Sequence, residues 1–184
     1  MVRAMANAGI LHGVKALSAY IESDGPVNYE DGGKGVFFDE YKKMNSELFY
    51  LGNVLMALEC QRVIHDAALL PDCPYMDKLR TPMSESELLQ GELPFRISVS
   101  EHKDAYGNKY LMVLNRDFDI DAAIALKLKS KSHVYRVSKR SGDEELVYES
   151  TESLIIRLAP GELELFRVQP AEEAPYTVEY YLDK

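Results

Sequence analysis

Before Leu58 the apolar residues of this chain recur every three or four positions, and from Leu93 onward they alternate with polar ones. That change of period predicts a helical first half and a stranded second half, a segregated α+β pattern rather than a βαβ alternation. Tyr41, Met44, Leu48, Leu51, Leu55 and Leu58 line one face of a helix, with Asp39 and Glu40 placed to complement its dipole at the start. Ahead of it, the apolar run Val14–Ile21 is stopped by Ser23-Asp-Gly-Pro26 and is expected to be one buried strand. Asp31-Gly-Gly-Lys-Gly35 lacks the Lys-Ser/Thr of a phosphate loop and reads as a tight turn.

In the second half, Phe95–Val99 and Tyr110–Leu114 flank Asp104-Ala-Tyr-Gly-Asn108, the pattern of a hairpin. Ala123–Lys129, Val134–Val137, Glu145–Tyr148, Leu154–Leu158 and Glu162–Val168 continue as short strands, with turns at Ser141–Glu144 and Pro160-Gly161. Six or seven such strands predict an antiparallel β-sandwich. Pro71, Pro74 and Pro82 mark an irregular connector, which divides the chain into a helical segment (1–65), the connector (66–90) and the sandwich (91–184).

Composition narrows the classes of function. With 46% hydrophobic and 28% charged residues in 184, the chain lies far from the disordered corner. Its net charge of -9 has the wrong sign for neutralising phosphates, and both halves are acidic, so no nucleic-acid partner is expected. The longest apolar stretches are too short for a membrane helix, and Asn7, Gly9 and His12 interrupt any export signal, so no membrane partner and a cytoplasmic location are expected. Cys60 and Cys73 show no metal-binding spacing and are expected to be reduced thiols.

Two runs then bear on function. Asn108-Lys-Tyr-Leu-Met-Val-Leu-Asn-Arg-Asp117, followed by Leu158-Ala-Pro-Gly-Glu-Leu-Glu-Leu-Phe-Arg167, resembles the C-terminal β-sandwich of β-galactosidase-like glycoside hydrolases. Gly9, Gly13-Val-Lys-Ala-Leu17, Tyr20, Tyr41, Asn45-Ser-Glu-Leu48 and Leu51-Gly52 are similar to the last strand and last helix of the (β/α)8 barrel in those enzymes. The resemblance implies a C-terminal, non-catalytic segment of a carbohydrate-metabolising hydrolase. Glycoside hydrolysis needs two carboxylic acids about 5 Å apart for retention, and the resemblance implies that both belong to earlier barrel strands. No catalytic residue, metal or cofactor is therefore assigned here. The partners it implies are a missing N-terminal catalytic portion or a second copy, which would cover apolar surface that the absent barrel units leave open.

Within the chain, Glu22 and Asp24 lie just past the barrel-like strand, either as a substrate-contacting acidic pair or as a solvated turn. Tyr20 is a sugar-stacking ring or a core aromatic. A stand-alone carbohydrate-binding sandwich is the alternative reading, with Tyr106, Tyr110, Tyr135 and Tyr148 as its candidate platform. Asp117, Asp119 and Asp121 alternate like calcium ligands, but Ala122 and Leu128 stand where such a loop needs Gly and Glu, so they are expected to face water. His12, His65, His102 and His133 have no ligand spacing, and Lys127, Lys129 and Lys131 read as one solvated strand face.

Overall fold

The computed structural model describes residues 2–17, 26–28, 30–66 and 81–172. These contain two helices, α1 (Val2–Leu11) and α2 (Phe38–Ala57), and a short 3-10 turn at Met83–Glu85. The strands are β1 (Glu59–His65), β2 (Leu89–Gln90), β3 (Ile97–Lys103), β4 (Lys109–Asn115), β5 (Ala122–Val137), β6 (Glu144–Leu158) and β7 (Leu163–Pro170). They form one antiparallel sheet in the order β1-β3-β4-β7-β5-β2, with β6 attached to β5. Among the described residues no helix is long and apolar enough to cross a membrane.

One strand bends this sheet into two layers. The first half of β5 pairs with β2 and the end of β6, and its second half pairs with β7 and the start of β6. Register shifts fall between Lys127 and Ser132 and around Val134, where extra residues kink the strand and raise its twist. Ile124, Leu126 and Leu128 thereby share a core with Leu154, Ile156 and Leu158 of β6 and with Val99, Leu111, Val113 and Phe166 of the other layer. The sheet folds over this core in a sandwich-like manner.

A second core lies on the outer face of β4 and β7, roofed by the helices. Ile10 and Leu11 of α1 and Leu51 of α2 pack with Leu58 on Tyr110, Met112, Leu114, Leu163 and Leu165. Both faces of β4 are thus apolar, so Tyr110–Leu114 reads as an unbroken hydrophobic run. Charge completes the dock. The Arg3 guanidinium grips Glu47 of α2 at 2.9 Å and reaches Glu162 at 3.4 Å, and Lys139 bonds Glu162 at 2.7 Å and Glu164 at 2.6 Å. Burial pushes the Glu162 carboxyl up, but Lys139, the Ala159 amide and Arg3 outweigh it and hold it at about 2.

The structure agrees with the helix over Tyr41–Leu55, the 104–108 hairpin turn and the turn before Val36, where Val27 bridges to Lys34. It corrects other expectations. Val14–Leu17 forms no strand, and Val14 and Leu17 are exposed; the rest of that run lies outside the described residues. Within the segment expected to be helical, Glu59–His65 forms β1, which carries Cys60 and hydrogen-bonds into the sheet through β3. The short strands expected at 123–129 and 134–137 are one strand, as are those at 145–148 and 154–158. The reason is physical: their polar breaks, Ser130-Lys-Ser132 and Glu149–Ser153, are absorbed as register shifts and a left-handed Ser150 rather than as turns. α1 carries Arg3 and Asn7 on its buried face, and these interrupt the apolar period that would have revealed it.

Gly161 is a tight point of the contact between α1 and the sheet. It has φ +64, and a Cβ there would lie 2.6 Å from the Ala4 Cβ. Gly161→Ala should therefore destabilise the fold by about 2–4 kcal/mol, combining the left-handed penalty with overpacking. Gly107→Ala, at φ +85 with nothing within 4 Å, should cost only about 1–2 kcal/mol. Urea denaturation measures both, and adding Ala4→Gly should recover part of the Gly161→Ala loss. Equal losses at the two glycines would show that the contact with α1 is not limiting.

Candidate functional site

Across the helix-facing side of the sheet, register pairs set one row of side chains at right angles to the strands: Cys60, His102, Tyr110, Arg167 and Tyr135. Arg167 is its centre. Buried in the sheet, it bonds Glu144 at 2.6 Å through Nε and Gln169 at 3.0 Å through Nη1, and it lies 3.9 Å from the centroid of the Tyr135 ring. The Tyr110 hydroxyl donates to the same Glu144 at 3.1 Å. Burial, and then the adjacent Glu144 charge, push the Tyr110 phenol above its ordinary value. The row brings Tyr110 and Tyr135 together, but Tyr110 is buried and Arg167 covers a face of Tyr135. The bonds among Tyr110, Arg167, Tyr135 and Glu144 brace four strands.

The other candidates fall elsewhere. Tyr106 stands exposed on the hairpin turn, and the Tyr148 hydroxyl donates to the Ile155 carbonyl along β6. Tyr20, Glu22 and Asp24 lie outside the described residues. Asp119 and Asp121 are exposed, but Asp117 is buried, contrary to the expectation that all three face water. It accepts from the Asp119 amide at 2.9 Å, the Ile120 amide at 3.1 Å and the Arg96 guanidinium, contacts that hold its carboxyl below the usual range. Asp117 caps a loop. Among the described residues no group of His, Cys, Asp and Glu is arranged to hold a metal ion.

The two runs that carry the glycosidase resemblance pair along β4 and β7, and the loops at one end of that pairing are tied together. Asn115 Nδ2 donates to the Ile120 carbonyl at 2.8 Å and the Ala159 carbonyl at 3.2 Å, and the Gly161 amide donates to the Asp117 carbonyl at 2.8 Å. Asn7 of α1 closes the junction by donating to the Gly161 carbonyl at 2.8 Å. Sequence reasoning also missed Glu101, a buried carboxylate that accepts from the Ser86 hydroxyl and the amides of Glu87 at 2.9 Å and Leu88 at 3.0 Å. Its only signal is an acid in an otherwise buried strand. With its acceptors occupied, it fastens residues 86–88 to β3.

His102 is buried next to the end of the row: Nε2 pairs with the Ser100 hydroxyl at 2.7 Å, while Nδ1 has no hydrogen-bond partner among the described residues. Burial lowers its pKa to about 4; the Leu11 carbonyl opposes that shift and the charge of Lys15 reinforces it. Between the ordinary value of 6.5 and about 4 the unfolded chain binds a proton that the folded chain refuses. Stability is thus fully present above pH 6.5 and is lost as pH falls toward 4, by ~3 kcal/mol in all. His102→Gln should flatten the unfolding free energy between pH 7 and 5, measured by urea denaturation; an unchanged slope would refute this assignment.

No protein-family model matches the chain, and no curated protein matches it. Among solved structures, it is similar to a "putative alpha-galactosidase/melibiase" from Bacteroides fragilis NCTC 9343, with 22% identity and a TM-score of 0.33. That match covers 42% of this chain and 16% of the other, so the chain spans a small part of the length of that protein.

Proposed function

We propose that this chain is a non-catalytic, C-terminal accessory segment of a glycoside hydrolase, in which the folded-over sheet packs against a helical unit at the end of a catalytic barrel. The observation that carries the reading is the junction of Asn115, Asp117 and Gly161 with Asn7. The residues of the resemblance that meet there serve as joints between sheet and helix. In this reading α2 is the last barrel helix, and its exposed Phe49 and Met56 face a catalytic portion or a second copy of the chain. A carbohydrate ligand belongs to the assembled enzyme, where Tyr20, Glu22 and Asp24 would approach it.

A segment without the acid pair cannot protonate the leaving sugar oxygen. The purified chain should therefore release no nitrophenol from aryl α- or β-galactosides or glucosides above the uncatalysed rate. Turnover that disappears in Glu22→Gln or Asp24→Asn would overturn the reading and make the chain an enzyme in its own right.

A further inference from the structure

We infer that the end of the sheet formed by the loops before β3 and after β4 is a carbohydrate-binding surface, with Phe95 and Phe118 as its stacking rings. This goes beyond the accessory role, which needs no ligand on this chain. Phe95 is 66% exposed, Phe118 59% and Ile120 63%, an apolar grouping that water disfavours and that the chain holds in place at some cost.

The holding is specific. Arg96, next to Phe95, has φ +60, a left-handed conformation that a side chain with a Cβ rarely adopts. Two carboxylates enforce it. Buried Asp66 accepts from the Arg96 amide at 2.9 Å and from the Arg116 guanidinium, and Asp117 accepts from the Arg96 guanidinium and from the amides that lead into Phe118's loop. The Arg116 amide donates to the Arg96 carbonyl at 2.8 Å, which locks the two loops together. The exposed rings therefore flank one fixed ion pair, and a ligand would find them already ordered.

The chemistry of the surface selects the ligand. Every apolar residue is followed by a charged one: Phe95 by Arg96, Phe118 by Asp119, Ile120 by Asp121. A protein docking face is depleted of charge at its core. A pyranose ring has the matching pattern, an apolar C–H face for an aromatic ring and a rim of hydroxyls for guanidinium and carboxylate groups. Arg96 is half-exposed beside the Phe95 ring, 5.0 Å from its centroid, and Asp119 and Asp121 are open to solvent.

Amide chemical-shift titration with galactose, methyl galactosides and a galacto-oligosaccharide tests this. Saturable shifts are expected at residues 95–97 and 115–121, in the millimolar range, with Phe95→Ala and Phe118→Ala each weakening binding at least about fivefold, or about 1 kcal/mol. Both side chains are exposed, so an unchanged melting temperature will show that the variants fold. Absence of saturable shifts, or binding that both variants retain, would overturn the inference. So would concentration-dependent broadening that the variants abolish, which would make the surface a contact between copies. None of these outcomes bears on the turnover assay, so this site and the accessory role fail separately.

Discussion

The structure depends on the burial of β4 and β7 on both faces. Each successive residue of Tyr110–Leu114 enters a different core, so neither core can shift register without moving the other. A strand of this kind holds two otherwise separate layers of side chains in a single registration. The helices do not sit on the sheet as an independent unit: they complete a face that β4 and β7 already present. The polar row through Tyr110, Arg167 and Tyr135 crosses the same two strands on its way to β5 and is positioned by the same constraint.

Legibility in the sequence follows burial. The helix at 38–57 and the β3–β4 hairpin are readable because each keeps one period over its length, and the hairpin has turn residues at its corner. The sequence of β5 and of β6 predicts a pair of short strands each because hydrophobic alternation lapses at their bends, although the backbone continues through them. α1 was invisible for the opposite reason. Its buried face uses Arg3 and Asn7, whose hydrogen bonds with Glu47 and Gly161 replace apolar contact. A pattern method that treats polar residues as exposed cannot see a helix docked by polar residues.

The same limit applies to sites. Four tyrosines looked like a platform because aromatic residues are conspicuous in a composition, but their spacing carries no information about which rings share a face. The register does, and it sends Tyr110 beneath the helices and Tyr148 onto β6. Phe95 and Phe118 lie in loops without periodicity, where nothing local distinguishes an isolated apolar residue from an ordered ring. What distinguishes them is the pair of aspartates, Asp66 and Asp117, which are remote from Phe95 in sequence and adjacent to its loop in space.

The position of β7 in the sheet has a consequence for how the chain comes together. β1, β3 and β4 are linked in sequence-local order, and β5 and β6 make a second such group, but among the described residues the two groups are joined in the hydrogen-bonded sheet only through β7, the last described strand. Until residues 163–170 have left the ribosome, β4 and the second half of β5 each expose an unpaired edge and half of an apolar core. Such edges invite association with other chains. Assembly thus waits on β7, which enters between two preformed parts as an insert rather than extending a growing edge.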